Sequence, residues 1–160
     1  MDEQRAWWET LFQIHEYAAY PELAQELTGR EVDFLEAALS LRAEDQILDL
    51  GCGNARHAIA LAERGDTADG LEIAEPVVPR VATLLAMTPG NARSLEQDMR
   101  DLAGLGPYDV VLIMNSTFGF WSDDDHAALL RSIHDILAPG GRILLQCINP
   151  YQIGAYMQGY

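Results

Sequence analysis

The fold of this chain is decided by the stretch Ile47-Leu48-Asp49-Leu50-Gly51-Cys52-Gly53-Asn54-Ala55-Arg56-His57. An apolar run that ends in an acid predicts a buried strand, two glycines predict a tight turn, and the residues after them predict the start of a helix. In open α/β sheets this arrangement forms a loop on which a nucleotide cofactor binds. A Gly-x-Gly turn can also simply join a strand to a helix, so other residues must decide between the two interpretations.

The kind of cofactor depends on the third small residue of the loop and on its acid. A dinucleotide loop has a third glycine three residues after the second, where this chain has Arg56. A dinucleotide also lays its pyrophosphate on the helix N-terminus, and a carboxylate such as Asp49 would repel it. The chain instead has Asp49 two residues before the first glycine and the small residue Ala55 two residues after the second.

The rest of the chain alternates predicted strands and helices. Residues 4–40 are predicted to be helical, with Thr28-Gly29-Arg30-Glu31 as a capping box that starts a helix whose inner face includes Phe34. Strands are predicted at 46–50, 67–72, 92–97, 108–114 and 142–148, and further helices at 55–64, 76–87 and 122–137. This alternation predicts one α/β domain over residues 1–160, with a helical lid at 1–40 and a doubly wound, mostly parallel core at 46–148.

Composition narrows the classes of partner. The chain has 25 acids, 10 arginines and lysines together, and a net charge of −15, so its surface repels phosphate backbones and argues against nucleic acid. The two cysteines, Cys52 and Cys147, form no Cys-x-x-Cys pair, and Asp123-Asp124-Asp125 fits the first turn of a helix better than a metal cluster. No apolar stretch approaches the ~18 residues of a membrane span. We therefore expect a cytoplasmic protein with no metal and no membrane contact.

Further acids follow the second and third predicted strands, at the edge where ligands bind in such sheets. They are Glu72 and Asp98. Together with the loop acid, the two glycines and Ala55, they resemble the motifs of class I S-adenosylmethionine-dependent methyltransferases. The resemblance covers roughly residues 30–150. Within this family the chain resembles a group of small-molecule methyltransferases. The resemblance rests on Arg56-His57 after the glycine loop and on a Phe-Gly-aromatic loop after the fourth strand.

The resemblance implies that S-adenosylmethionine is the cofactor and S-adenosylhomocysteine the product. Glu72 would accept from the ribose hydroxyls, because an ionised carboxylate can take two donors. Asp98 would accept from the adenine amino group, and the backbone N–H of Met99 would meet a ring nitrogen. The residues expected at the cofactor are Asp49, Gly51, Cys52, Gly53, Ala55, Glu72, Ile73, Asp98, Met99 and Asn115.

The resemblance also implies methyl transfer to a small-molecule acceptor by direct displacement at the sulfonium. Tyr17, Tyr20 and Asn115 are the candidates for the acceptor side. DNA amino-methyltransferases carry two prolines after the amide or acid, whereas Ser116 and Thr117 follow here. This difference argues against nucleobase methylation, as the charge does.

Three other functions remain open. A cofactor-binding module without catalysis, or a truncated partner subunit, would need the same loop. An aminopropyl transferase shares the fold but normally has an acid and a third glycine where Asn54 and Ala55 stand. A nicotinamide oxidoreductase is disfavoured by Arg56 and Asp49.

The family fold continues beyond the fifth strand, whereas this sequence ends at Tyr160. We therefore expect a chain truncated after that strand. An uncovered edge strand is a template for pairing with another chain, so a homodimer or larger homo-oligomer is expected. The alternative is that the tail after the strand folds back over the sheet and keeps the chain monomeric.

Overall fold

The structure is a computed structural model that describes residues 21–74, 77–149 and 151. Its elements follow in the order α1 (Pro21–Leu39), β1 (Gln46–Leu50), α2 (Arg56–Glu63), β2 (Thr67–Glu72), α3 (Val78–Met87), β3 (Asn91–Glu96), β4 (Tyr108–Ile113), α4 (Asp123–Ile136) and β5 (Leu137–Leu145). Tyr17 and Tyr20 lie outside the described residues.

The described strands form one parallel sheet of five, in the order β3-β2-β1-β4-β5. The predicted α/β fold with a doubly wound sheet is confirmed. Strand order reverses between β1 and β4, so the loops after these strands meet at the point where such sheets bind ligands. Apolar side chains of β1 and β4 are buried on both faces of the sheet, in two core clusters, which explains their nearly continuous apolar runs.

Helix α1 corrects the prediction of a capping box. The helix runs without a break from Pro21 to Leu39, and Thr28 is buried within it rather than at its start. Its inner face is set by the spacing of Thr28, Val32, Leu35 and Leu39, which recur every three or four residues. Phe34 falls outside that stripe and is 62% exposed, so its predicted place on the inner face is wrong.

Strand β5 begins five residues earlier than predicted, at Leu137 directly after α4. Its register on β4 shifts between the pairs Tyr108–Leu137 and Val110–Arg142, so an irregular segment joins the sheet before the regular strand. Arg142 then donates to the carbonyls of Leu39 and Ser40 and pairs with Asp45. Strand β5 is thereby tied to the end of α1.

The described part of the chain contains no helix with both the length and the apolar character to cross a membrane. Strand β5 lies at one edge of the sheet, with Ile143 and Leu145 partly exposed. The homo-oligomer expected from this edge stays a prediction.

Candidate functional site

The glycine loop turns sharply between β1 and α2. Gly51 and Gly53 have φ of 72° and 56°, and Ala55, the residue before α2, has φ of 58°. A Cβ on Gly51 would lie 2.6 Å from Thr117 Cγ2, so the absence of a side chain allows the loop after β4 to approach. Apart from its chain neighbours, no described residue has an atom within 4 Å of a Cβ built on Gly53, which leaves that side of the loop clear of the described residues.

Glu72, at the end of β2, holds the glycine loop. Its Oε2 accepts from the backbone N–H of Gly53 at 2.8 Å, and its Oε1 accepts from the N–H groups of Ile73 and Ala74 at 2.8 and 2.9 Å. A carboxylate has about four acceptor positions, and these bonds use three. Glu72 therefore supports the loop and keeps one acceptor position for a ligand, with Ile73 37% exposed beside it.

The side chain of Cys52 points from the glycine loop into the core rather than toward the side of the loop that the described residues leave clear. Its thiol is buried, and a Cβ on Gly70 would lie 2.9 Å from its Sγ, so the side chain packs down onto β2. Burial raises the pKa of the Cys52 thiol and keeps it protonated. The backbone N–H groups of Gly51 and Cys52 both donate to the Leu71 carbonyl at 2.9 Å.

Asp49 lies beneath the loop and is 1% exposed. Its Oδ2 is buried and receives no hydrogen bond from any described residue. Burial raises the pKa of Asp49 to about 7, although the charge of Arg56 and the backbone N–H of Ala58 both favour the ionised form. A buried acceptor without a donor is rare in folded proteins, and Asp49 Oδ2 could accept from a cationic or donating group of a ligand.

Arg56 and His57 join α1 to the glycine loop through one carboxylate. Glu31 Oε2 lies 2.5 Å from Arg56 Nη1 and 3.0 Å from His57 Nε2. Arg56 Nη1 also donates to Thr28 Oγ1 at 2.7 Å, and its Nη2 donates to Asn115 Oδ1 at 3.3 Å. Burial alone would raise the pKa of Glu31, but the hydrogen bonds from Arg56 and His57 outweigh it and lower that pKa.

The loop after β4 has two consecutive residues in the left-handed region, Asn115 and Ser116, with φ of 56° and 63°. The backbone N–H of Asn115 donates to Gln146 Oε1 at 2.9 Å, and that of Ser116 to the Gln146 carbonyl at 3.0 Å. Gln146 follows β5 and so fixes Asn115 at the switch point.

Asp98 and Met99 follow β3, as predicted, but Asp98 is already paired. Arg100 donates to it through its backbone N–H, its Nε and its Nη2, and the Nη2 to Oδ2 distance is 2.5 Å. The hydrogen bonds from Arg100 lower the pKa of Asp98. The guanidinium carbon of Arg100 lies 5.3 Å from the centre of the Trp121 ring, while Met99 is buried.

The structure thus brings Asp49, Gly51, Gly53, Glu72 and Asn115 together around the loop, with Asp98 on a neighbouring strand end. It adds residues that the sequence did not single out as site residues: Thr28, Glu31, Arg100 and Gln146. Thr28 and Glu31 carried a signal, since an acid three residues after a threonine suggested a helix start. Gln146 had no local signal, because its contact with Asn115 spans 31 residues. Among the described residues, no group of three or more His, Cys, Asp or Glu side chains could hold a metal ion.

Residues 47–141 match a family of proteins described as the methyltransferase domain. The chain belongs to this family, the class I S-adenosylmethionine-dependent methyltransferases. It is 32% identical over 105 residues to the cypemycin N-terminal methyltransferase of a Streptomyces species, covering 65% of this chain and 42% of that protein. It is 31% identical over 134 residues to the 27-O-demethylrifamycin SV methyltransferase of Amycolatopsis mediterranei, covering 76% and 45%.

Solved structures agree with this assignment. The CcbJ methyltransferase from Streptomyces caelestis superposes with a TM-score of 0.65 and 30% identity, covering 76% of this chain and 52% of that one. The chain therefore spans about half or less of the length of each of these three relatives.

Proposed function

We propose that this chain binds S-adenosylmethionine and takes part in the transfer of its methyl group to a small-molecule acceptor. The observation that carries the proposal is the buried Oδ2 of Asp49, an acceptor that no described residue donates to, directly beneath the glycine loop. The cofactor has an ammonium and a sulfonium and no phosphate, so the carboxylates around this loop suit it and would repel a dinucleotide.

The residues around the loop fit the parts of this cofactor. Asp49 offers a negative charge to the methionine ammonium. Glu72 has one acceptor position left, which serves one ribose hydroxyl, and Ile73 presents apolar surface beside it. Because Gly53 has no side chain, the cofactor can approach the backbone of the loop closely at this residue.

The adenine end involves Asp98 and the Met99 backbone. Asp98 oxygens are held by Arg100, so Asp98 must either use a remaining acceptor position or exchange Arg100 for the adenine amino group. Arg100 in turn lies over Trp121 in the segment that follows β4. Adenine recognition on this chain therefore involves a residue that also contacts the acceptor-side loop.

When bound, S-adenosylmethionine supplies a methyl group that an acceptor lone pair takes by direct displacement as the carbon–sulfur bond breaks. The work of the chain is to hold the reacting groups at near-attack distance and to exclude water. We propose Asn115, whose position is fixed by Gln146 and Arg56, as the acceptor-side residue among those described. Tyr17 and Tyr20 complete the proposed set from the preceding segment.

The acceptor is proposed to be a small neutral or cationic molecule. A net charge of −15 disfavours approach of DNA or RNA at any ionic strength where charges are not fully screened. The names of the two relatives give two different acceptors, cypemycin and 27-O-demethylrifamycin SV. The proposed class of acceptor therefore rests on the net charge of this chain and not on the acceptors of its relatives.

Calorimetry with S-adenosylhomocysteine and, separately, NAD tests the cofactor assignment. We expect saturable binding of the first and none of the second. Binding of NAD alone, or of neither, would overturn the proposal. Transfer of labelled methyl to small amines and phenols, against DNA as the comparison, then tests the acceptor class. Binding without transfer to any acceptor would indicate the cofactor-binding module instead.

A further inference from the structure

His57 lies between two carboxylates that belong to different elements. It is 2% exposed, at the start of α2. Its Nε2 is 3.0 Å from Glu31 Oε2 of α1, and its Nδ1 is 4.0 Å from Asp49 Oδ2 of β1. Asp49 Oδ2 is the same atom that receives no hydrogen bond from the described residues.

The contact with Glu31 determines which ring nitrogen carries the proton. An ionised carboxylate can only accept, so Nε2 must be the protonated nitrogen. A neutral imidazole then has a bare Nδ1, and this lone pair faces another acceptor, the carboxylate of Asp49. Two buried acceptors facing one another are unfavourable unless a proton is present on one of them.

The other charges around Asp49 act in both directions. Arg56 on α2 favours its ionised form, and Glu72 on β2 opposes it. The Cys52 thiol of the glycine loop stays neutral beside it. Burial raises the pKa of Asp49 to about 7 and lowers the pKa of His57 below its ordinary value, so burial favours the neutral form of both side chains.

We propose that Glu31 is a positioning residue that fixes His57 with a bare Nδ1 toward Asp49, so that His57 and Asp49 together hold one exchangeable proton that leaves when cofactor binds. The second half rests on the proposed function. A methionine ammonium beside Asp49 replaces the proton as the positive charge, and the proton passes to solvent. Cofactor binding by this chain is then linked to proton release.

The state of the ring is measurable without any ligand. Nitrogen–proton correlation spectra of the ¹³C,¹⁵N-labelled chain, recorded from about pH 5 to pH 9, distinguish a protonated from a bare ring nitrogen, and carboxyl-carbon spectra of the same sample follow Asp49. We expect Nε2 of His57 to stay protonated throughout, while Nδ1 and the Asp49 carboxyl carbon respond to pH with the same midpoints. A bare Nε2, or unrelated midpoints for the two side chains, would overturn the proposal.

The role of Glu31 is tested by Glu31→Gln, with Glu36→Gln as the matched control. Both residues are acids of α1 that contact an arginine, but Glu36 contacts Arg64, away from the loop. Without the Glu31 carboxylate, Nε2 can become an acceptor and Nδ1–H can donate to Asp49. Asp49 is then largely ionised before the cofactor arrives, and the proton release should fall to less than half.

The readout is the binding enthalpy of S-adenosylhomocysteine near neutral pH in phosphate and in Tris, which differ in ionisation enthalpy. We expect proton release for the unaltered chain and for Glu36→Gln, and less than half of that release for Glu31→Gln. Equal release in all three contradicts the proposal. If the unaltered chain does not bind, the proposed function fails and the spectra still decide the ring state; they also decide it if Glu31→Gln does not fold.

Discussion

Two aspartates on neighbouring strands of this sheet are equally buried and are used in opposite ways. Asp49 on β1 and Asp69 on β2 are each 1% exposed. Asp69 accepts from Arg93 through both of its oxygens and from the Tyr108 hydroxyl at 2.9 Å. Asp49 has an oxygen with no donor among the described residues, and the nearest ring nitrogen is 4.0 Å away.

The difference supports the proposal that Asp69 serves the structure and that Asp49 serves a ligand. A buried charge is expensive unless it is paired, and Asp69 is paired within the chain. In the ligand-free chain the described residues give one oxygen of the buried Asp49 carboxylate no donor, which is unfavourable. A bound cation would offset this unfavourable free energy. Burial alone therefore does not distinguish a structural acid from a binding acid, whereas the hydrogen-bond partners of each oxygen do.

The largest expected effect is on stability at alkaline pH. The folded pKa of Asp49, about 7, is above the ordinary value of 3.8, so its favourable contribution is fully present below about pH 3.8 and is lost as pH rises through about 7. At about 1.4 kcal/mol per tenfold change in proton affinity, this corresponds to on the order of 4 kcal/mol. Asp49→Asn should exceed the unaltered chain in stability at pH 8 by that order and match it near pH 4. Urea unfolding at both pH values measures it, and an equal gain at both would contradict the assignment.

The variant Asp69→Asn should lower the free energy of unfolding, whereas Asp49→Asn should raise it. It removes the charged partner of Arg93 and weakens the bond from Tyr108, and hydrogen bonds to charged groups contribute about 1.5–3 kcal/mol. Because the Arg93 side chain is 68% exposed and can be rehydrated, we expect a loss of about 2 kcal/mol at neutral pH. Affinity for S-adenosylhomocysteine should not change. Glu63→Gln, an exposed acid on α2, is the control for loss of one negative charge.

The variant Glu72→Ala extends the comparison of structural and ligand-binding acids to a third acid, through its effect on ligand affinity. It removes a charged acceptor for the ribose hydroxyls, so affinity for S-adenosylhomocysteine should fall on the order of tenfold to a hundredfold. Glu96 is its register partner on β3 and is exposed, so Glu96→Ala should leave the affinity unchanged. Glu72→Gln keeps one acceptor oxygen for the loop and should be intermediate. Calorimetry that gives one affinity for all of them would reject the ribose role.

The elements that could be predicted from the sequence are those determined by residues close to one another along the chain. The strand at 46–50 and the strand at 67–72 were predicted with their observed bounds, because apolar runs and flanking turn residues are local signals. The start of β5 at Leu137 was missed, since it depends on pairing with Tyr108 across a register shift that no local pattern records.

The same limit applies to the site. Asp49 and the two glycines were recognisable because they follow one another in the chain. The contacts of Glu31 with His57 and of Arg56 with Asn115 join residues 26 and 59 positions apart, and only the packing of α1 and the β4 loop creates them. The difference between Asp49 and Asp69 likewise depends on partners from β3 and β4 that the sequence does not place.

The smallest expected effect concerns the hydrogen bond of the Asp69 cluster whose donor is uncharged, the one from the Tyr108 hydroxyl. Tyr108→Phe removes the hydroxyl that donates to Asp69 Oδ2 and leaves both Arg93 bonds in place. Tyr108 is buried, so the ring still fills its site, and Asp69 keeps charged donors on both oxygens. The free energy of unfolding should fall by about 1 kcal/mol, within the range of one hydrogen bond. In the Asp69→Asn background the same change should cost less, because the acceptor it served has lost its charge. Denaturant unfolding of the two single variants and the double variant measures this coupling, and strictly additive losses would mean that Tyr108 and Asp69 do not act as one cluster.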